Sequence, residues 1–124
     1  MKKKVLIIEN DDEIRTIVTY VLESEGYEVQ GAGYSDNILT GIQADLILLD
    51  EWVNNKQGHM LCKDIKALEE LKAVPVIIFS TATDIADIAK SCSADGFIQK
   101  PFDIDTLTSE VKKFLPLRPV TQTV

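Results

Sequence analysis

Four apolar segments of the sequence each lead into polar residues that could bind a metal ion or react with phosphate. These residues supply two carboxylates, an amide, a hydroxyl and an ammonium, and they are Glu9, Asn10, Asp50, Ser80 and Lys100. Carboxylates that lie together repel each other unless a cation sits among them, and hard oxygen ligands favour Mg²⁺. Asp50 beside such a metal could attack a phosphoryl donor and carry an acyl phosphate. The alternative is a structural ion pair, in which Asp50 caps a turn and Lys100 neutralises it.

The apolar segments themselves predict the strands of a parallel sheet. Residues 46–49 are four branched aliphatic residues without alternation, which is typical of a strand buried on both faces. Strands are also predicted at residues 5–8, 27–32, 76–79 and 96–98. Amphipathic helices are predicted after each strand, at about residues 12–25, 36–42, 59–72, 85–92 and 104–115. This alternation predicts an α/β fold in which the carboxyl ends of the strands share one edge of the sheet.

The overall composition fits a single globular domain. The chain has 124 residues, of which 45 % are hydrophobic and 27 % charged, and its formal net charge is −7. The negative charge argues against direct binding to nucleic acid, and no apolar run is long enough for membrane insertion. Cys62 and Cys92 lack the spacing of metal ligands and are predicted to be reduced, buried thiols of a cytoplasmic protein. We expect residues 1–116 to form the domain and residues 117–124 to be a tail or a truncated linker.

Taken together, these spacings resemble the receiver domain of two-component response regulators. The resemblance extends from about residue 3 to residue 115. It rests on the apolar strand that ends at Asp50, Gly58 eight residues later, Pro75 leading to Ser80, and the segment Phe97-Ile98-Gln99-Lys100-Pro101-Phe102. The family has a flavodoxin-like fold, so the resemblance implies a doubly wound, five-stranded parallel sheet with strand order 2-1-3-4-5 in a single receiver domain.

The resemblance implies a role for each residue at the strand ends. Asp50 would be the phosphoacceptor, Ser80 the hydroxyl that follows the phosphoryl group, and Lys100 the cation that pairs with it. Mg²⁺ would be held by Glu9, Asn10, Asp50 and the backbone carbonyl of Trp52.

Three further residues would transmit or support the switch. Phe97 stands at the aromatic switch position of the family and would swing inward as Ser80 moves. Gly58 and Pro101 would be structural residues, and the Lys100–Pro101 peptide bond is expected to be cis.

By the same resemblance, the chain would be a signalling switch and no metabolic enzyme. It would take its phosphoryl group from a histidine kinase or a phosphotransfer protein, and it would catalyse only its own phosphorylation and dephosphorylation. The phosphoryl group would change an interaction surface on the fourth predicted helix, the fifth strand and the fifth helix, through which a homodimer could also form. The output would pass to a downstream protein or to an output domain that this chain does not contain.

Asn10 is the main departure from the family pattern. The family usually has an aspartate there that binds the metal directly, whereas Asn10 offers a neutral oxygen, so we predict weaker Mg²⁺ affinity. A second hypothesis follows, in which the chain is a degenerate receiver that binds partners without being phosphorylated. The intact Asp50, Ser80 and Lys100 argue against it. A flavin or nucleotide carrier on the same fold is disfavoured, because no glycine-rich phosphate loop follows the first strand.

Overall fold

A parallel sheet of five strands forms the centre of the protein in a computed structural model. The structure describes residues 2–32, 43–50, 52–53 and 56–116. Its strands are β1 (Lys4–Ile8), β2 (Glu28–Ala32), β3 (Leu46–Asp50), β4 (Trp52–Val53), β5 (Lys56–Gln57), β6 (Val76–Ser80) and β7 (Gly96–Gln99). Its helices are α1 (Asp12–Ser24), α2 (Gly58–Ala67), α3 (Ile85–Ser91) and α4 (Ile104–Phe114).

The order of the strands across the main sheet is β2-β1-β3-β6-β7, and all neighbours are parallel. This order confirms the predicted arrangement 2-1-3-4-5, because β6 and β7 are the fourth and fifth strands of this sheet along the chain. The other two strands, β4 and β5, form a short antiparallel pair in which Trp52 lies opposite Gln57. This pair is not among the predicted strands, since two-residue strands leave no apolar periodicity to detect.

The core consists of two layers, one on each face of the sheet. Successive residues of a strand point to opposite faces, so Leu46 and Leu48 enter one layer while Ile47 and Leu49 enter the other. The first layer is closed by α1 and α4, through Val18, Val21, Leu22, Leu107 and Val111. The second is closed by α2 and by the end of α3, through Leu61, Cys62, Ile65 and Cys92. The polar residues Glu9, Asp50 and Ser80 lie at the carboxyl ends of β1, β3 and β6, at one edge of this sheet.

The two cysteines lie in the second layer, and both are free thiols and buried, as predicted. The thiol of Cys62 donates to the carbonyl of Cys92 over 3.4 Å.

In the part of the chain that the structure describes, every helix is too short or too polar to cross a membrane.

The third predicted helix ends earlier than expected. The sequence predicts it to about residue 72, whereas α2 ends at Ala67. Leu71 and Lys72 both donate to the carbonyl of Leu68, which turns the chain back towards β6. The ammonium of Lys66, in the last turn of α2, donates to the carbonyl of Val74 over 2.8 Å and so connects the helix end to the segment before β6. The predicted helix at 36–42 and the tail at 117–124 lie outside the described residues.

Tyr27 ties the end of α4 to the start of β2. Its side chain is fully buried, and its hydroxyl donates to the carbonyl of Leu115 over 2.6 Å. We expect Tyr27→Phe to lower the free energy of unfolding by about 1–2 kcal/mol, because the buried carbonyl loses its partner. Urea unfolding measures this change. Tyr20→Phe is the matched control, since Tyr20 is 75 % exposed and should give no measurable change, and equal effects of both variants would contradict the assignment.

Candidate active site

The carboxyl edge of the sheet holds the buried polar residues of the protein. Among the described residues, Glu9, Asp50 and Ser80 are the polar or charged ones that are buried, at 2 %, 9 % and 3 % exposure. Asp50 and Ser80 are the last residues of β3 and β6, and Glu9 follows β1 directly. Burying polar or ionisable groups costs free energy unless partners compensate them, so their collection at one edge makes this edge the candidate functional site.

Lys100 joins the two carboxylates. It follows β7, and its Nζ atom lies 3.1 Å from Oε1 of Glu9 and 3.1 Å from Oδ1 of Asp50. Its backbone is fixed as well, because its N–H donates to the carbonyl of Ser80 over 2.7 Å. The following Lys100–Pro101 peptide bond is cis, as the family resemblance implied. The ends of β1, β3 and β7 thus deliver two carboxylates and one ammonium to one point.

The environment of Asp50 favours its protonated form. Its pKa is raised from 3.8 to about 6, first by burial and then by a hydrogen bond with the Glu9 side chain, while Lys100 partly opposes the rise. Two carboxylates that share one ammonium still repel each other. The site therefore carries an excess of negative charge that a second cation would offset.

The hydroxyl of Ser80 lies at the same edge, beside the turn that leads to α3. Its Oγ accepts a hydrogen bond from the N–H of Ala82 over 3.0 Å. Ser80 is paired with Gln99 in the register of β6 and β7, one residue before Lys100. The backbone thereby couples the position of the hydroxyl to that of the lysine.

Comparison with known proteins identifies the family. The model of the response regulator receiver domain matches residues 5–112 of the chain. The chain belongs to this family. It is 31 % identical over 121 residues to sporulation initiation phosphotransferase F of Bacillus subtilis (strain 168), covering 95 % of this chain and 98 % of that protein. It also matches several longer transcriptional regulators, of which it spans about half the length.

Solved structures agree with this assignment. A putative response regulator from Chloroflexus aurantiacus J-10-fl has a TM-score of 0.86 and 25 % identity, covering 94 % of this chain and 100 % of that one. The receiver domain of a sensor histidine kinase from Pseudomonas aeruginosa PAO1, solved with a magnesium ion coordinated in its active site cleft, has a TM-score of 0.83. It is 19 % identical, covers 94 % of this chain and 100 % of that chain, and shows the shared fold.

The chemistry of the receiver's donor set fits a hard divalent cation. The carboxylates of Glu9 and Asp50 are oxygen donors that carry more negative charge than Lys100 neutralises. Within the described ranges, no group of three or more His, Cys, Asp or Glu side chains could hold a metal ion. Asn10 contributes no carboxylate to this edge, and the carboxylate of the residue after it has other partners.

That next acid is Asp11, and its carboxylate caps α1. Its Oδ1 accepts the N–H groups of Glu13 and Ile14 at 2.9 and 3.2 Å. The N–H of Asp11 in turn donates to Oε2 of Glu9 over 3.2 Å and helps to orient that carboxylate. Asp11 therefore stabilises the start of the helix instead of supplying the charge that Asn10 lacks.

Phe97 lies away from this cluster, on the outer strand. It is 42 % exposed and paired with Ile78 in the register of the sheet. It lines an open cavity of about 370 Å³ between α3, β7 and α4, together with Lys90, Glu110 and Lys113.

The two other residues to which the family resemblance gave a role lie near the end of β3 in the chain. Gly58 is the first residue of α2, and Trp52 is the first residue of β4, two residues after Asp50.

Phe79 is a neighbour of the site that the sequence pattern does not predict. The ring of Phe79 lies under the ammonium of Lys100, with 4.7 Å between Nζ and the ring centroid. From the sequence, Phe79 is predicted only as the last apolar residue of the strand before Ser80. Phe79 is the partner of Asp50 in the pairing of β3 and β6, a register that only the structure gives.

Proposed function

We propose that this receiver domain accepts a phosphoryl group on Asp50 from a histidine kinase or a phosphotransfer protein. The observation that carries the proposal is the contact of one ammonium, that of Lys100, with the two buried carboxylates of Glu9 and Asp50. A carboxylate oxygen of Asp50 would form a bond to phosphorus. The bond from phosphorus to the donor's histidine nitrogen would break, with its electron pair staying on that nitrogen.

The surrounding residues have distinct roles in this proposal. Lys100 would pair with phosphoryl oxygens, and Ser80, whose Oγ accepts from the N–H of Ala82 in this structure, would donate its hydroxyl hydrogen to one of them. Glu9, Asn10, Asp50 and the backbone carbonyl of Trp52 would hold Mg²⁺. When bound, this ion would neutralise charge on the incoming phosphoryl group. The chain would catalyse only its own phosphorylation and dephosphorylation, as a switch and not as a metabolic enzyme.

The output would come from a change of surface around Phe97. In this structure the ring is partly exposed, and it would move inward as Ser80 follows the phosphoryl group. That movement would alter the face formed by α3, β7 and α4, where a downstream protein, an output domain or a second copy of the chain would bind. Gly58 and Pro101 would support the loops of the site.

Residues 1–116 would form the receiver domain, and residues 117–124 would be a tail or a linker. The protein would be cytoplasmic.

Acetyl phosphate with Mg²⁺ tests the proposal on the intact chain. Mass spectrometry should find one added phosphoryl group, on a peptide that contains Asp50, and Asp50→Asn should remain unmodified. The second candidate, a degenerate receiver that works without phosphorylation, is favoured by Asn10. It predicts no Mg²⁺-dependent modification of the wild type under the same conditions, and that result would overturn the first proposal.

Asn10→Asp should raise the affinity for Mg²⁺ about tenfold, because it restores a charged oxygen donor at the cation site. A Mg²⁺ titration followed by the fluorescence of Trp52 measures the change. Gln30→Glu is the matched control, since it adds the same charge at an exposed position of β2. Equal affinities of wild type and Asn10→Asp would show that the neutral amide does not limit binding.

A further inference from the structure

The ammonium of Lys100 has a third contact besides its two carboxylates. Its Nζ atom lies 4.7 Å from the centroid of the Phe79 ring, which is buried at 2 % exposure. A cation over the face of an aromatic ring is attracted by the negative charge density of that face. Because the lysine side chain is itself only 16 % exposed, little water is present to weaken this attraction.

A second aromatic ring also packs against Phe79. Phe102 packs against Phe79 with 6.3 Å between the ring centroids and an angle of 86° between the ring planes. In such an edge-to-face pair, the partner's position restricts rotation of the ring. Phe79 also lies opposite Asp50 in the register of β3 and β6, so its backbone is fixed relative to that carboxylate.

A ring face differs from the other possible partners of an ammonium. A carbonyl or carboxylate at this place would accept one of the three N–H groups of lysine as a strong, directed hydrogen bond. The ring stabilises the charge with weaker directionality and leaves those groups to Glu9, Asp50 and incoming phosphoryl oxygens. An aliphatic residue could fill the same core space, but it would not attract the charge.

We propose that Phe79 is a positioning residue, which holds the ammonium of Lys100 over the carboxylate of Asp50 for phosphoryl transfer. This inference rests on the proposed function of Asp50. Replacing the ring by leucine keeps an apolar core residue and removes the aromatic face. We expect Phe79→Leu to be phosphorylated by acetyl phosphate about fivefold more slowly than the wild type, which corresponds to the loss of a typical cation–ring attraction.

A double-mutant cycle separates this role from a merely structural one. In the background of Lys100→Met, the additional change Phe79→Leu should leave the residual rate unchanged, because the ring then has no cation to position. Ile77→Val is the control for core damage, since Ile77 is a buried residue of the same strand and the same layer. It should keep the wild-type rate of phosphorylation while losing a comparable amount of thermal stability.

Each outcome decides a separate question. A wild type that reacts together with a Phe79→Leu variant that reacts equally fast would overturn the role of Phe79 alone. A wild type that does not react at all would overturn the proposed function and, with it, this inference. Should Phe79→Leu fail to fold, the NMR signals of the Lys100 Cε protons in the wild type decide. Ring currents should shift them upfield, and unshifted signals would overturn the inference.

Discussion

Replacing Lys100 by methionine should lower the free energy of unfolding by about 3 kcal/mol at pH 8, and by much less at pH 5. The same change should slow phosphorylation of Asp50 about a hundredfold. Both effects follow from the position of its ammonium, 3.1 Å from a carboxylate oxygen of Glu9 and 3.1 Å from one of Asp50. Methionine keeps an unbranched apolar chain but leaves two buried carboxylates without their cation.

The dependence on pH follows from the pKa of Asp50. In the wild type this pKa is already raised to about 6, and Lys100 is the influence that lowers it. Its removal moves the pKa of Asp50 further upward. A carboxyl whose pKa is higher in the folded than in the unfolded state stabilises the fold at low pH, and this contribution is lost as the pH rises through the folded-state value. The variant should therefore lose more stability than the wild type between pH 5 and pH 8.

Urea unfolding of both proteins at the two pH values, with a chelator present, measures the effect. Lys66→Met is the matched control, because Lys66 is 15 % exposed and has an ion pair of 2.7 Å with Asp95 outside the site. It should destabilise the protein to a similar extent at both pH values and leave phosphorylation unchanged. If Lys100→Met lost equal stability at pH 5 and pH 8, the two carboxylates would not be sharing its charge.

The fold could be predicted because its strands are unusually uniform. Residues 46–49 and 76–79 have no polar interruption, and such runs are buried on both faces of a parallel sheet. Right-handed connections then leave few possible orders for five strands that alternate with helices. The end of α2 could not be predicted in this way, since Leu68 and Leu71 continue the helical spacing beyond Ala67. In the structure the N–H groups of Leu71 and Lys72 both donate to the carbonyl of Leu68 in a turn, which the spacing of apolar residues does not indicate.

The composition of the site was visible in the sequence, but its electrostatics were not. Strand ends at a common edge indicate which residues meet, and Glu9, Asp50 and Lys100 do meet. The spacing of these residues in the sequence does not show how strongly burial, the second carboxylate and the ammonium each change the pKa of Asp50. Nor does it show that the carboxylate of Asp11 is used by the N–H groups of α1, or that an aromatic ring lies under the lysine. These features depend on side-chain directions, which only tertiary packing determines.

Asp50→Asn should make the metal-free protein more stable than the wild type at pH 8, by about 2–3 kcal/mol. The carboxyl has a pKa of 3.8 in its reference state and about 6 in the fold, so its ionisation is disfavoured by folding. Below about pH 4 it is protonated in both states, and the variant should have no advantage. Between the two pKa values of Asp50, 3.8 and about 6, the folded wild type loses stability progressively as the pH rises. Above about pH 6.5 the difference between the two proteins should be constant.

Urea unfolding at pH 4, 6 and 8 in the presence of a chelator tests this dependence. Asp84→Asn is the control, because Asp84 is exposed and its side chain makes no capping hydrogen bond to α3. It should not reproduce the rise in stability between pH 4 and pH 8. A destabilised Asp50→Asn at pH 8 would mean that the ion pair with Lys100 outweighs burial and repulsion. The expected gain is what the proposed function requires, since a phosphoacceptor must be ionised to attack phosphorus and its ionisation in this buried place costs stability.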